Sequence, residues 1–98
     1  MGIVIMETTI IITECVNKYA RKAQKYWTFK IDGKGRNIAE VDRYDGGYKI
    51  YSGEWTSEVG RRTGKGSALE FAKRCIREQL GDGVKFRWNV MKEVYKYI

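Results

Sequence analysis

The spacing of apolar residues along the chain switches between a period of two and a period near 3.6, and each switch marks an element. Residues 3–13 (IVIMETTIIIT) are β-branched and apolar and predict a buried strand. Over residues 14–25, Cys15, Val16, Tyr19, Ala20 and Ala23 fall at helical spacing among Lys18, Arg21, Lys22 and Lys25. That stretch reads as a short amphipathic helix, with a continued strand as its rival. Residues 26–31 (YWTFKI) alternate, with Trp27, Phe29 and Ile31 on one side. Asp32-Gly33-Lys34-Gly35 carries hairpin-turn chemistry, residues 36–44 form the return strand, Asp45-Gly46-Gly47 turns again, and Tyr48–Ser52 is a third strand.

Residues 53–66 read as a loop holding Trp55 and the run Gly60-Arg61-Arg62-Thr63-Gly64-Lys65-Gly66. Ser67 and Glu70 have capping-box spacing and open a helix to Leu80. Ala68, Leu69, Ala72, Cys75, Ile76 and Leu80 form its apolar stripe, and Gly81 suits the position after its end. In 84–90, Val84, Phe86, Trp88 and Val90 alternate with polar residues, as in a half-buried antiparallel strand. Met91, Val94, Tyr95 and Ile98 return to helical spacing and predict a closing turn or two of helix. The expected fold is α+β. Residues 1–98 form a single domain with an antiparallel sheet, a meander of three strands plus flanking N- and C-terminal strands, and one or two helices packed on one face.

Composition narrows the function classes. The chain has 98 residues, 43% of them apolar and 13% aromatic, enough for a real core and too much for a disordered basic tail. With no histidine, no Ser-His-Asp or Cys-His arrangement and no His-liganded metal can form within it. Cys15 and Cys75 stand far apart with no CxxC spacing, which points to two reduced thiols and no zinc site. No cofactor is implied. The apolar N-terminal run has no basic leader and is broken by Glu7, and no stretch reaches membrane-spanning length, so a cytoplasmic protein without a membrane partner is expected.

Nineteen Lys and Arg against twelve Asp and Glu give a formal charge of +7, a field that attracts polyanions. Residues 60–88 hold eight basic and three acidic side chains, and residues 15–31 hold five basic and none acidic. The loop GRRTGKGS resembles a phosphate-binding P-loop in composition. It leaves three residues rather than four before Gly-Lys, and Gly66 separates Lys65 from Ser67, so an NTPase is not expected. Arg61, Arg62 and Lys65 at a helix N-terminus still make an anion site, joined on the helix by Lys73 and Arg77, with Lys22 and Lys25 as a second patch.

The αβββα order over about residues 14–80, with Gly64, Gly66, Ala72 and Lys73, resembles the double-stranded RNA-binding domain. That resemblance implies that Lys73 grips phosphates across the major groove and that the first helix reads a minor groove. Ala68 and Leu69 stand where the family carries two further lysines, its Pro- and His-containing loop is absent, and extra strands flank both ends. The βββα portion is equally similar to three-stranded-sheet DNA readers such as the amino-terminal domains of some integrases.

A second candidate surface is a sheet face carrying Tyr26, Thr28 and Lys30 with Lys49 and Tyr51, which interleaves aromatics with positive charge as base-stacking sheets do, although tyrosine and lysine also suit an ordinary half-buried or exposed sheet face. Asp32, Glu40, Asp42 and Asp45 are the single enzyme-like cluster, but the Glu-x-Lys ending of a metal-dependent nuclease is missing, since position 42 is Asp. The expectation is therefore a non-catalytic protein that binds nucleic acid, DNA or RNA, through its phosphate backbone. The alternative is an adaptor or inhibitor, of the kind common in viruses and mobile elements, that docks on a nucleic-acid-handling protein with Trp55 as an interface hot spot.

Overall fold

The computed structural model of the chain describes residues 8–19, 24–44, 46–53 and 57–96. Five strands follow one another as an antiparallel meander: β1 (Thr9–Asn17), β2 (Gln24–Ile31), β3 (Asn37–Tyr44), β4 (Gly47–Ser52) and β5 (Ser57–Arg62). Helix α1 (Lys65–Leu80) then crosses the sheet, and β6 (Lys85–Trp88) and β7 (Lys92–Val94) return to the far side. Both lie beside β1, β6 against Thr9–Ile12 and β7 against Cys15–Asn17, so the sheet order is β5-β4-β3-β2-β1-β6, with β7 continuing the β6 edge. The fold is α+β, a mixed, mostly antiparallel sheet with one helix packed against it.

Alternation along each strand sorts side chains between the two faces. Ile10, Ile12, Trp27, Phe29, Ala39, Val41 and Ile50 point toward α1 and are buried with Ala68, Leu69, Ala72 and Ile76 of the helix. A large aliphatic or aromatic side chain fully removed from water contributes about 1.5–3 kcal/mol, so this one layer carries the fold. Two glycines let the layer close. A Cβ on Gly60 would meet the Phe71 ring at 2.8 Å, and one on Gly47 would meet the Arg62 carbonyl oxygen at 2.7 Å. At the end of α1, Gln79 Nε2 donates to Ser52 Oγ at 2.8 Å and satisfies a buried hydroxyl.

Several sequence expectations change. Residues 14–17 belong to β1, and no helix occurs at 14–19 or 24–25; Ala20, Arg21, Lys22 and Ala23 lie outside the described residues. The rival reading wins because Cys15 and Val16 pair with Tyr26 and Lys25, a non-local ladder that outweighs a weak local period. Residues 57–62, read as loop, form β5 through an antiparallel ladder with β4 that local sequence does not announce. The helix begins at Lys65 with Gly64 as an extended N-cap and no side-chain cap, so Ser67 is helical rather than capping. Glu70 pairs with Lys73 at 3.2 Å instead of reaching back. The last strand is parallel to β1, since α1 is a crossover that brings the chain back in the same direction. Residues 92–94 form β7 in place of the expected helical turns.

That last change has an identifiable cause. Buried Asn17 donates from Nδ2 to the Lys96 carbonyl at 3.2 Å and accepts from the Tyr19 and Lys96 amides at 3.1 and 3.2 Å, while the Lys18 amide donates to the Val94 carbonyl at 2.8 Å. One amide side chain thus fastens the C-terminal segment to β1.

Gly47→Ala is expected to cost about 1–3 kcal/mol, since the new methyl meets backbone. Gly35→Ala, where nothing lies within 4 Å and φ is not positive, should be neutral or slightly stabilising. Urea unfolding of the two variants checks this contrast, and equal losses would contradict it.

Candidate functional site

The face of the sheet opposite α1 is an open trough of about 1070 Å³. Its floor follows from strand parity: Thr13 and Cys15 from β1, Tyr26 and Thr28 from β2, Glu40 and Asp42 from β3, Lys49 and Tyr51 from β4. Register aligns them into rows that run across the strands. One row reads Lys92, Cys15, Tyr26, Asp42, Lys49, Arg61, with one residue from each of six strands. The next reads Thr13, Thr28, Glu40, Tyr51, Glu58. Cations therefore stand at both ends of the first row and carboxylates in the middle of the sheet.

Tyrosines and cations touch at both ends. Lys96 Nζ lies 5.5 Å from the Tyr26 ring centre, and Lys49 Nζ and the Arg61 guanidinium lie 5.1 and 5.6 Å from that of Tyr44. Arg61 is also paired with Glu58. Glu40 is mostly buried and stands beside Asp42. Burial first, then the adjacent Asp42 side chain, push its carboxyl up to about 8, against an opposing pull from Lys96. Asn37 Nδ2 approaches Glu40 Oε1 at 3.4 Å, and Asp42 Oδ1 is buried with no hydrogen-bond partner. Burial likewise pushes the Tyr26 hydroxyl up to about 12, with help from Cys15, and raises the Cys15 thiol. Cys15 is thus a protonated thiol and a poor nucleophile, with its neighbour Tyr26 a standing donor.

The residues expected to grip phosphate divide between the two faces. Arg61 is at the rim of the trough, whereas Arg62 lies 4.4 Å from the Phe71 ring on the helix side. Lys65 sits 5.5 Å from the Trp27 ring, and Lys73 and Arg77 share the Phe86 ring at 5.5 and 5.1 Å. Lys25 is a half-buried β2 residue at one end of the trough; Lys22 and Trp55 lie outside the described residues. By contrast, Tyr26, Thr28, Lys30, Lys49 and Tyr51 share the open face that strand alternation predicts. Lys92 and Lys96 were not among the expected contacts, because their segment reads as helix. Glu40 and Asp42 do stand together, but Asp32 pairs instead with Arg87 at 3.6 Å and Asp45 lies outside the described residues. Among the described residues no group of metal-ligating side chains assembles, and no helix is long and apolar enough to cross a membrane. The chain matches no protein-family profile, no curated protein and no solved structure.

The Glu40 environment has a measurable consequence. The folded chain keeps this proton up to about pH 8, whereas an unfolded carboxyl releases it in the ordinary range near 4.5. Between those values the folded state binds more protons, so stability is greatest below the window and falls as pH rises through it. Thermal unfolding between pH 5 and 8 should show a declining midpoint, and Glu40→Gln should flatten that slope. A wild-type midpoint that rises with pH over the same interval would contradict it.

Proposed function

We propose that this protein binds single-stranded nucleic acid across the open face of its sheet. One observation carries the reading: tyrosines and cations lie together on a broad polar face that no element of the described chain covers. A single strand needs flat rings for its bases and mobile cations for its phosphates, and sheet faces of this kind supply both. Tyr26 and Tyr51 offer rings near the centre, and Lys30, Lys49, Lys92 and Lys96 offer charges along the borders. The net charge of +7 draws the polyanion in. No catalytic role is assigned.

The second reading is a protein partner. It draws on the β6–β7 edge, where Trp88, Val90, Met91 and Tyr95 are each at least half exposed. An apolar strip on a strand edge is a surface that another protein can pair with and cover.

Anisotropy titration with labelled single strands of about ten nucleotides tests the two together. Affinity should fall with salt at a log–log slope of roughly −2 to −3, three or four phosphates each contributing about −0.7. Tyr26→Ala should weaken binding about tenfold or more, within the range of one base–aromatic stack. Lys49→Glu with Lys92→Glu should weaken it further, whereas Trp88→Ala should leave it unchanged. No binding at low salt would overturn the proposal. Loss on Arg62→Glu with Arg77→Glu, but not on the open-face reversals, would move the contact to the helix side.

A further inference from the structure

Three features of the trough, taken together, constrain how a strand lies in it. The first is direction. The row from Lys92 to Arg61 crosses six strands, five gaps of ~4.8 Å each, or about 24 Å. The second is charge order along that row: Lys92 with neighbouring Lys96 at one end, Lys49 beside the Arg61–Glu58 ion pair at the other, and Asp42 between them. Phosphates are favoured at the ends and repelled from the middle. The third is the state of the middle itself. Asp42 Oδ1 is buried without a partner, Glu40 stands beside it, and the rings of Tyr26 and Tyr51 lie in adjacent positions of the same two rows.

We infer that one strand crosses the trough along this row, anchored by phosphates at both ends, and turns a middle base inward so that its amino group meets Asp42 Oδ1 beside Glu40. This inference rests on the single-strand reading above and adds footprint and base preference to it. The acceptor this pair offers is Asp42 Oδ1, and an unpaired buried acceptor is costly until a donor reaches it. Adenine, cytosine and guanine each carry an exocyclic amino group, whereas uracil and thymine present carbonyl oxygens in its place. Those oxygens meet Asp42 Oδ1 acceptor to acceptor. The strand is thus selected by base chemistry at its centre and by charge alone at its ends. At 3.4 Å per stacked nucleotide and somewhat more when extended, about 24 Å holds roughly four to seven nucleotides.

Oligomers of deoxycytidine and of deoxyuridine, from about two to ten nucleotides, test this directly by anisotropy, because the two bases match in size and differ at the edge in question. Deoxycytidine oligomers are expected to bind about tenfold more tightly than deoxyuridine ones, with affinity levelling off at roughly four to seven nucleotides. The near-isosteric double variant Glu40→Gln, Asp42→Asn should lose this preference while still binding deoxyuridine oligomers at wild-type strength or better, which also shows that it is folded. Equal binding of both bases by the wild type would overturn the base preference and leave the single-strand reading standing. So would a preference that survives in the double variant. Affinity that keeps climbing to the longest oligomer would overturn the single crossing. No binding by any oligomer would overturn both readings.

Discussion

A helix of sixteen residues is about 24 Å long and ten wide, and it lies against a sheet about 24 Å across. It covers one face and leaves the other open, and most of the molecule's chemistry follows from that imbalance. The central strands place Ile10, Ile12, Trp27, Phe29, Ala39, Val41 and Ile50 on the α1 side, which sends Thr13, Cys15, Tyr26, Thr28, Glu40, Asp42, Lys49 and Tyr51 to the opposite side as a matter of parity. A one-residue slip in any strand would reverse both sets at once. The same register that builds the core therefore builds the trough.

An open sheet face need not hold carboxylates at its centre. Glu40 and Asp42 are two apart on one strand, which forces them onto the same side, and the neighbouring strands remove water from around them. Their proximity and burial raise Glu40, so the pair keeps a proton through neutral pH rather than carrying two adjacent charges. This lowers the repulsion but leaves an acceptor unsatisfied, a local cost that the core's burial must offset. Threonines in these positions would be cheaper for stability. A pair held at such cost on an otherwise tyrosine- and lysine-bordered face is the feature that separates this trough from a merely solvated surface.

The parts of the fold written in local chemistry were readable from the chain alone. Asp32-Gly33 closes the first hairpin through the Lys34 amide and Ile31 carbonyl with Gly33 at φ 80°, and Gly46 turns the second at φ 84°. The 3.6-residue stripe of Ala68, Leu69, Ala72 and Ile76 likewise declares its helix. What was not readable depends on partners distant in sequence. Cys15, Val16 and Tyr19 satisfy a helical spacing and a strand equally well, and the ladder with Tyr26 and Lys25 decides between them. Met91, Val94 and Tyr95 keep helical spacing too, yet Asn17, seventy-nine positions before Lys96, draws their segment onto β1. Alternation in Val84–Val90 marks a strand but carries no direction, which is set by the crossover through α1. On the open face, Tyr26, Thr28, Lys30, Lys49 and Tyr51 follow from parity, whereas Lys92 and Lys96 reach the trough only through that long-range clamp.

The positive charge itself has two fates in this structure. On the helix side, Arg62, Lys65, Lys73 and Arg77 each lie over an aromatic ring, and the Lys73 side chain is only 19% exposed and paired with Glu70. Their hydrocarbon stems cover Phe71, Trp27 and Phe86, so much of their work is to seal the core, with the charge carried outward as a consequence. On the open side, Lys49 and Lys96 also lie over tyrosine rings, and with Lys30 and Lys92 they border a concave floor of mixed polar and apolar side chains. A basic run such as GRRTGK draws the eye in a sequence, but its cations divide between the two faces, Arg61 at the rim of the trough and Arg62 and Lys65 on the helix side. The lysines dispersed singly along β2, β4 and the C-terminal segment converge on one surface, and it is convergence rather than local density that concentrates potential where a polyanion can use it.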